Sequence, residues 1–234
     1  MPTIDLNDAD NAGWLERVHS ERLLAFENEI RRLTQPVGDP PQYPRPWHIS
    51  TKVRDPLNAT VFVVGYNQAT KFLANPDLPH DPFIAGLFNR GPTCEELYEK
   101  ARGGKPKSRA RHNIEKLVEA LAAEGIHQVF ETNVVCYSTG NAEELRRPEH
   151  REGRERGEAL FRFLLTEIKP RVLVVHGKKA AKELDTVLKT VEHQPHVETI
   201  GSLAPPQADK NPVDYAAVAR KVTRSLVRPP RTAP

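Results

Sequence analysis

The sequence predicts an α/β protein in which a central, mostly parallel sheet of four strands lies between two layers of helices, a three-layer sandwich. Four short apolar runs alternate with segments whose apolar residues recur at helical spacing. Nearly continuous apolar runs are typical of strands that are covered on both faces, as in parallel sheets. The 234 residues show no internal repeat. We therefore expect one domain at 58–228, with residues 1–57 packed on it and a frayed tail at 229–234.

The N-terminal part begins with a predicted amphipathic helix at 13–34, where Phe26 and Ile30 share one face. The following segment, QPVGDPPQYPRPWHIS at 35–50, contains five prolines and predicts an extended surface strap. The first strand is expected at 59–65. Residues 75–92 are rich in Pro, Gly and Asp, which predicts a loop with one short helix.

The remaining chain alternates helices and strands. The predicted helices lie at 109–124, 154–168, 178–190 and 213–226, and the predicted strands at 129–137, 171–177 and 197–202. Gly125 is well placed to end the first of these helices.

Composition excludes several classes of protein. With 38% hydrophobic and 28% charged residues, the chain is expected to form a packed core with a charged surface. Its two cysteines, Cys94 and Cys136, are too few for a disulfide framework, and no Cys or His pair has zinc-site spacing. The N-terminus lacks a signal-peptide pattern, and no apolar run is long enough to span a bilayer. We expect a cytoplasmic protein, a monomer, without metal or cofactor.

The ligand site is expected at the carboxyl ends of the strands, where open α/β sheets bind their ligands. This rule brings together three segments, Gly65–Ala69, Thr132–Ser138 and Gly201–Gln207. None of them contains a G-x-G-x-x-G motif or a Walker lysine, which argues against dinucleotide and triphosphate binding.

These segments resemble the motifs of the uracil-DNA glycosylase superfamily. Its first motif, Gly-x-Asp/Asn-Pro-x directly after a core strand, is similar to Gly65-Tyr66-Asn67-Gln68-Ala69, with Gln in place of Pro. The stretch ETNVV at 131–135 resembles its base-recognition strand, and PRVLVVHGKKAAKEL its later strand, glycine and helix. Its final His-Pro-Ser motif falls at Ser202-Leu203-Ala204-Pro205, where Ser202 replaces the histidine. The resemblance covers 58–226 and implies the sandwich fold of that family.

The resemblance implies roles for two asparagines. Asn67 would hold the water that attacks the sugar, orienting it rather than removing its proton, because an amide is a poor base. The alternative is that Asn67 only caps a turn. Asn133 would read the flipped base, since an amide offers a donor and an acceptor side by side. The alternative is that it ties down a loop. Ser202 is the expected catalytic replacement for the missing histidine, with a backbone amide or a histidine such as His176 as alternatives.

The rest of the first motif is expected to surround the base. Gly65, Tyr66 and Gln68 would line the pocket. Ala69 stands where the strictly uracil-specific branch has Tyr, so the resemblance implies room for a C5 substituent, unless a neighbouring ring refills it. Phe83 and Phe88 are candidates for stacking on the base, although a core position is the usual fate of a Phe.

A basic segment at 100–116 suits contacts with DNA phosphates. Its candidate contacts are Lys105, Lys107, Arg109 and Arg111, and Lys178 and Lys179 at the start of a later helix are further candidates. The alternative is a solvated charged loop.

The sequence thus favours a monofunctional DNA glycosylase that hydrolyses a uracil-like or C5-modified pyrimidine from single- or double-stranded DNA. Repair and defence against phages with modified cytosine are both compatible with it. The alternatives are a non-catalytic DNA-binding module of the same fold and a hydrolase of small nucleosides or nucleotides.

Overall fold

The computed structural model describes residues 9–48, 55–205, 208 and 212–227, with side chains from residue 18 onward. The predicted frayed tail and the end of the third loop lie outside these residues.

Four parallel strands form the central sheet, which confirms the predicted α/β class. They are β1 (Val61–Gln68), β2 (Val129–Ser138), β3 (Val172–His176) and β4 (His196–Ile200). Their order in the sheet is β2-β1-β3-β4. The inner strands read as unbroken apolar runs because both of their faces are covered, whereas β4 at one edge is largely part-exposed.

Seven α-helices are described, and they cover the sheet on both faces. They are α1 (Ala9–Leu33), α2 (His80–Leu87), α3 (Cys94–Arg102), α4 (Arg109–Ala123), α5 (Arg151–Ile168), α6 (Lys178–Leu188) and α7 (Tyr215–Val227). One core joins α1, α2, α3, α5 and α6 to the face of the sheet that carries Phe62 and Val64. The other joins α4 and α7 to the face that carries Val61 and Val63. The result is three layers.

The structure corrects the sequence prediction after β1. The predicted short helix within 75–92 is present as α2, but α3, which Thr93 caps through a reciprocal hydrogen-bond pair with Glu96, was not predicted. In addition, β1 continues to Gln68, and Asn67 pairs with Val135 of β2. Asn67 therefore lies in a strand, and the turn-capping alternative is wrong.

The proline-rich strap is buried over residues 42–47, whereas residues 38–41 are exposed, so the predicted surface position holds only for its first half. It runs along the outer edge of β2, where the Arg45 backbone N–H donates to the Cys136 carbonyl at 2.9 Å and that of His48 to the Glu131 carbonyl at 2.6 Å. Covering an edge strand satisfies its free backbone groups. The strap thereby brings Arg45 beside Gln68 at the end of β1, and His48 beside Glu131 in the first half of β2.

Candidate active site

A cavity of about 250 Å³ opens at the carboxyl ends of β1, β2 and β3. Its walls come from the ends of these strands, from the strap, and from α3 and the start of α4. Asn67, Ala69, Asn133 and His176 all line it. The cavity thus lies at the edge of the sheet where the strand-end rule predicts the site, and residues distant in sequence meet there.

Gly65 is the point of closest approach between the site side chains. It pairs with Asn133 across the sheet. A Cβ at this position would lie 2.5 Å from Asn133 Oδ1 and 3.0 Å from His176 Nε2. Glycine is therefore needed here to make room for two site side chains, and Gly65 contributes by the absence of a side chain rather than by lining the cavity.

Asn67 has a fixed amide orientation. Its Nδ2 donates to Thr139 Oγ1 at 2.9 Å, and Thr139 Oγ1 in turn donates to the Asn141 carbonyl at 2.7 Å. This relay uses the amide nitrogen and leaves Asn67 Oδ1 as an acceptor for a ligand or a water. The sequence did not identify Thr139, because no local pattern links it to a residue 72 positions earlier.

Asn133 and His176 are available to a ligand. Neither side chain has a hydrogen-bond partner within the described ranges, and both line the cavity. Burial lowers the pKa of His176 to about 4, so its imidazole is neutral at physiological pH and presents one donor and one acceptor. The sequence offered His176 only as an alternative to Ser202.

Ser202 occupies a different position from the one predicted. Its Oγ accepts a hydrogen bond from the Ala204 backbone N–H at 3.2 Å, closing a local turn. Ala204 lines the cavity, but Ser202 does not. The catalytic prediction for Ser202 is therefore wrong in geometry, because the hydroxyl serves its own loop.

Gln68 lines the cavity but its amide is already engaged. Gln68 Oε1 accepts from Arg45 Nε at 3.0 Å, and Gln68 Nε2 donates to the Arg45 carbonyl at 2.9 Å. Both ends of the amide are thus used by the strap. Gln68 thus lines the pocket as predicted, but its amide is not free to bind a base and instead positions Arg45.

Tyr66 points away from the cavity, contrary to prediction. Lys179 Nζ lies 4.3 Å from the centroid of its ring and also donates to the Ala142 carbonyl at 3.1 Å. Lys179 is therefore engaged within the protein, while its neighbour Lys178 is exposed. Ala69 does line the cavity, as predicted, and is exposed, while the room for a C5 substituent stays a prediction.

The two phenylalanines expected to stack on a base are core residues. Phe83 is 0% exposed and stacks on Tyr43, and Phe88 is 5% exposed and packs edge-on against Trp47. Phe83 in α2 and Phe88 directly after it both face the core, which was the alternative. Among the described residues, the aromatic ring that lines the cavity is Tyr98 of α3.

A buried ion pair forms another wall of the cavity. Arg111 Nη2 donates to Glu131 Oε1 at 2.8 Å, Arg111 Nη1 donates to Glu131 Oε2, and Arg111 Nη1 lies 2.8 Å from His48 Nδ1. Burial, with nearby arginines, holds the pKa of His48 well below its usual value, so the ring is neutral. Arg111 is 4% exposed, and its predicted place on a phosphate-binding surface is wrong. The acidic Glu131 within the largely apolar stretch VFETNVV indicates a buried charge that needs a partner, but nothing in the stretch identifies Arg111 as that partner.

The rest of the basic segment remains on the surface beside the cavity. Lys105, Lys107 and Arg109 are exposed, and Lys107 Nζ donates to Glu115 at 3.0 Å. Ser108 and Ala110, in the same segment, line the cavity. These cations therefore lie on the segment that also supplies two residues of the cavity wall.

Two features are absent from the described residues. No helix there is long and apolar enough to cross a membrane, and no group of three or more His, Cys, Asp and Glu is arranged to hold a metal ion.

Comparison with known proteins assigns no family. No protein-family model matches the chain, and no curated protein matches it in sequence.

Proposed function

We propose that the protein is a monofunctional DNA glycosylase. It would flip a uracil-like or C5-modified pyrimidine out of DNA, hydrolyse the bond between base and sugar, and leave an abasic site. The observation that carries the proposal is the pair Asn67 and Asn133. Both line one cavity at the ends of adjacent strands, one with its carbonyl oxygen available and the other with its whole amide available.

Base hydrolysis places two demands on the site. A water must be held beneath C1′ of the sugar, and negative charge must be stabilised on the departing base, because the transition state resembles an oxocarbenium ion. The relay through Thr139 orients Asn67, which supports its role as the residue that holds the water. The water oxygen bonds to C1′ as the C1′–N bond breaks, the bonding electrons leave with the base, and the water proton passes to solvent.

Asn133 and His176 would act on the base. The donor and acceptor of an amide match the edge of a pyrimidine, and turning the amide by half a turn exchanges uracil for cytosine recognition. A neutral His176 would donate an N–H to a base oxygen as charge develops there. Its low pKa supports this role, because the ring remains a neutral donor across the physiological range.

Ala69 in the cavity wall supports a substrate with a C5 substituent, because no bulky side chain stands at that position of the motif. Modified cytosine of phage DNA is one such substrate, which would give the enzyme a defensive role. Lys105, Lys107 and Arg109, exposed on the segment that also supplies two residues of the cavity wall, support DNA as the partner. No lysine lies in Gly65–Ala69, so we expect no Schiff-base step. We expect the enzyme to act as a monomer.

The test is alkali-revealed strand cleavage on oligonucleotides that carry uracil, hypoxanthine, 5-hydroxymethylcytosine or glucosylated cytosine, in single and double strands. Cleavage at one of these bases is expected, and Asn67→Ala should slow it at least a hundredfold while DNA binding persists. Thr139→Val is the matched variant: it keeps Asn67 but removes the relay, and a smaller loss is expected.

The outcomes separate the proposal from its rivals. DNA binding without cleavage of any base would refute the glycosylase and favour a non-catalytic binding module. Hydrolysis of free nucleosides that survives neutralisation of Lys105, Lys107 and Arg109 would favour a small-molecule hydrolase. Equal activity of Asn67→Ala and wild type would remove Asn67 from the mechanism.

A further inference from the structure

Two buried arginines line the cavity, and they differ in their counter-charges. Arg111 has Glu131 on its terminal nitrogens and Glu115 on Nε at 3.2 Å. Arg45 is 2% exposed, forms no ion pair with a described carboxylate, and has no hydrogen-bond partner for Nη1 in that part of the chain. A buried cation without a counter-charge is unfavourable. The protein has therefore retained a charge that its own described residues do not balance.

The groups around Arg45 do not neutralise it. Burial raises the pKa of the Cys94 thiol, so this sulfur carries no charge at physiological pH. His48 is neutral, and Glu131 is already bound by Arg111. Burial also lowers the pKa of Arg45 to about 10. This value still leaves the guanidinium positive at neutral pH.

The Arg45 guanidinium is held in place. Gln68 binds its Nε, and its Cζ lies 4.6 Å from the centroid of the Phe72 ring. A planar guanidinium fixed in this way, with a terminal nitrogen unsatisfied, is suited to bind a carboxylate or phosphate oxygen with little further loss of side-chain freedom.

We propose that the Arg45 side of the cavity is a binding site for an anionic oxygen group of the ligand, a carboxylate or a phosphate. Arg45 recognises the group, while Gln68 and Phe72 position the guanidinium. This anion site does not depend on the proposed base release, since a protein that binds its ligand without cleaving it could have the same site. Two sources carry this chemistry: an acidic substituent on the base and a phosphate of the nucleic acid.

The experiment is calorimetric titration of the full chain with three probes: uracil-5-carboxylate, 5-hydroxymethyluracil and inorganic phosphate. The neutral hydroxymethyl compound matches the carboxylate in size. We expect the carboxylate to bind on the order of tenfold more tightly than its neutral counterpart. Arg45-dependent binding of phosphate, without that preference, would support the site and assign it to a nucleic-acid phosphate. Equal affinity for the two bases together with no Arg45-dependent phosphate binding would overturn the proposal.

Two variants and a control complete the test. Arg45→Met should abolish the preference for anions, with folding checked by circular dichroism. Gln68→Glu keeps Arg45 but places a carboxylate beside Arg45 Nε, where it supplies the missing counter-charge. This variant should therefore also abolish the preference for anions. Lys189→Gln, at an exposed position outside the cavity, should retain it. Anion preference that survives both Arg45→Met and Gln68→Glu would overturn the proposal. Binding of the free probes requires no catalysis. If the protein prefers the anionic probe but releases no base from DNA, the proposed glycosylase activity is refuted and the proposed anion site is not.

Discussion

Replacing Gly65 with Ala is a sharp test of the site, because it adds one methyl group between the two side chains that would act on the base. The new Cβ would lie 2.5 Å from Asn133 Oδ1 and 3.0 Å from His176 Nε2, whereas ordinary contact begins at 3.4 Å. The Asn133 amide must therefore move by about 0.9 Å and the imidazole by about 0.4 Å. A displacement of about 1 Å at a catalytic centre costs about a hundredfold in rate.

The fold should tolerate this change better than the activity does. The atoms that must move are the ends of side chains rather than backbone, so the free energy of unfolding should change little. Single-turnover release of the excised base gives the rate, and urea denaturation gives the stability.

Gly86→Ala is the matched control. Its Cβ would collide with Leu97 in the core between α2 and α3, so this variant should lose stability while keeping its rate at a temperature where it is folded. Gly65→Ala that releases base within twofold of wild type would refute the placement of Asn133 and His176 beside the reacting base.

Three further predictions follow from the same geometry. Ala69→Tyr should block bases with bulky C5 substituents and spare uracil in the cleavage assay; equal loss on both would indicate general damage. Glu131→Gln should lower the free energy of unfolding in urea by about 3 kcal/mol, because it leaves the Arg111 charge buried without its main partner, whereas Glu155→Gln, in an exposed pair with Arg151, should stay close to wild type. The free energy of unfolding should fall as pH drops from 6.5 towards 4, since the unfolded His176 takes up a proton in this window and the folded one does not. About 3 kcal/mol is the upper bound of this loss, because the side chain is partly exposed. If His176→Gln leaves the pH dependence of stability unchanged, His176 is not its source.

Local patterns were enough for the sheet and for part of the site. The continuous apolar runs Val61–Val64 and Val172–Val175 are typical of strands in a sheet that is covered on both faces. The rule that ligands bind at the carboxyl ends of the strands then placed Asn67 and Asn133 at the same edge of the sheet. The end of β1 was misjudged because Tyr66, Asn67 and Gln68 look like a turn, although pairing with β2 continues through Asn67.

The sequence by itself determined the α/β class, the order of the four strands along the chain and the edge of the sheet where the cavity lies. Hydrophobic periodicity and strand direction are properties of short segments, so they can be recognised in the sequence without information on distant contacts. Only the tertiary structure decided which side chains share the cavity.

Arg45, Arg111 and Glu131 illustrate the difference. The strap places Arg45 against Gln68, 23 positions later, and α4 places Arg111 against Glu131, 20 positions later. Whether an arginine contacts solvent or a buried carboxylate depends on how the strap and α4 pack against β2, and no local pattern in the sequence records that packing.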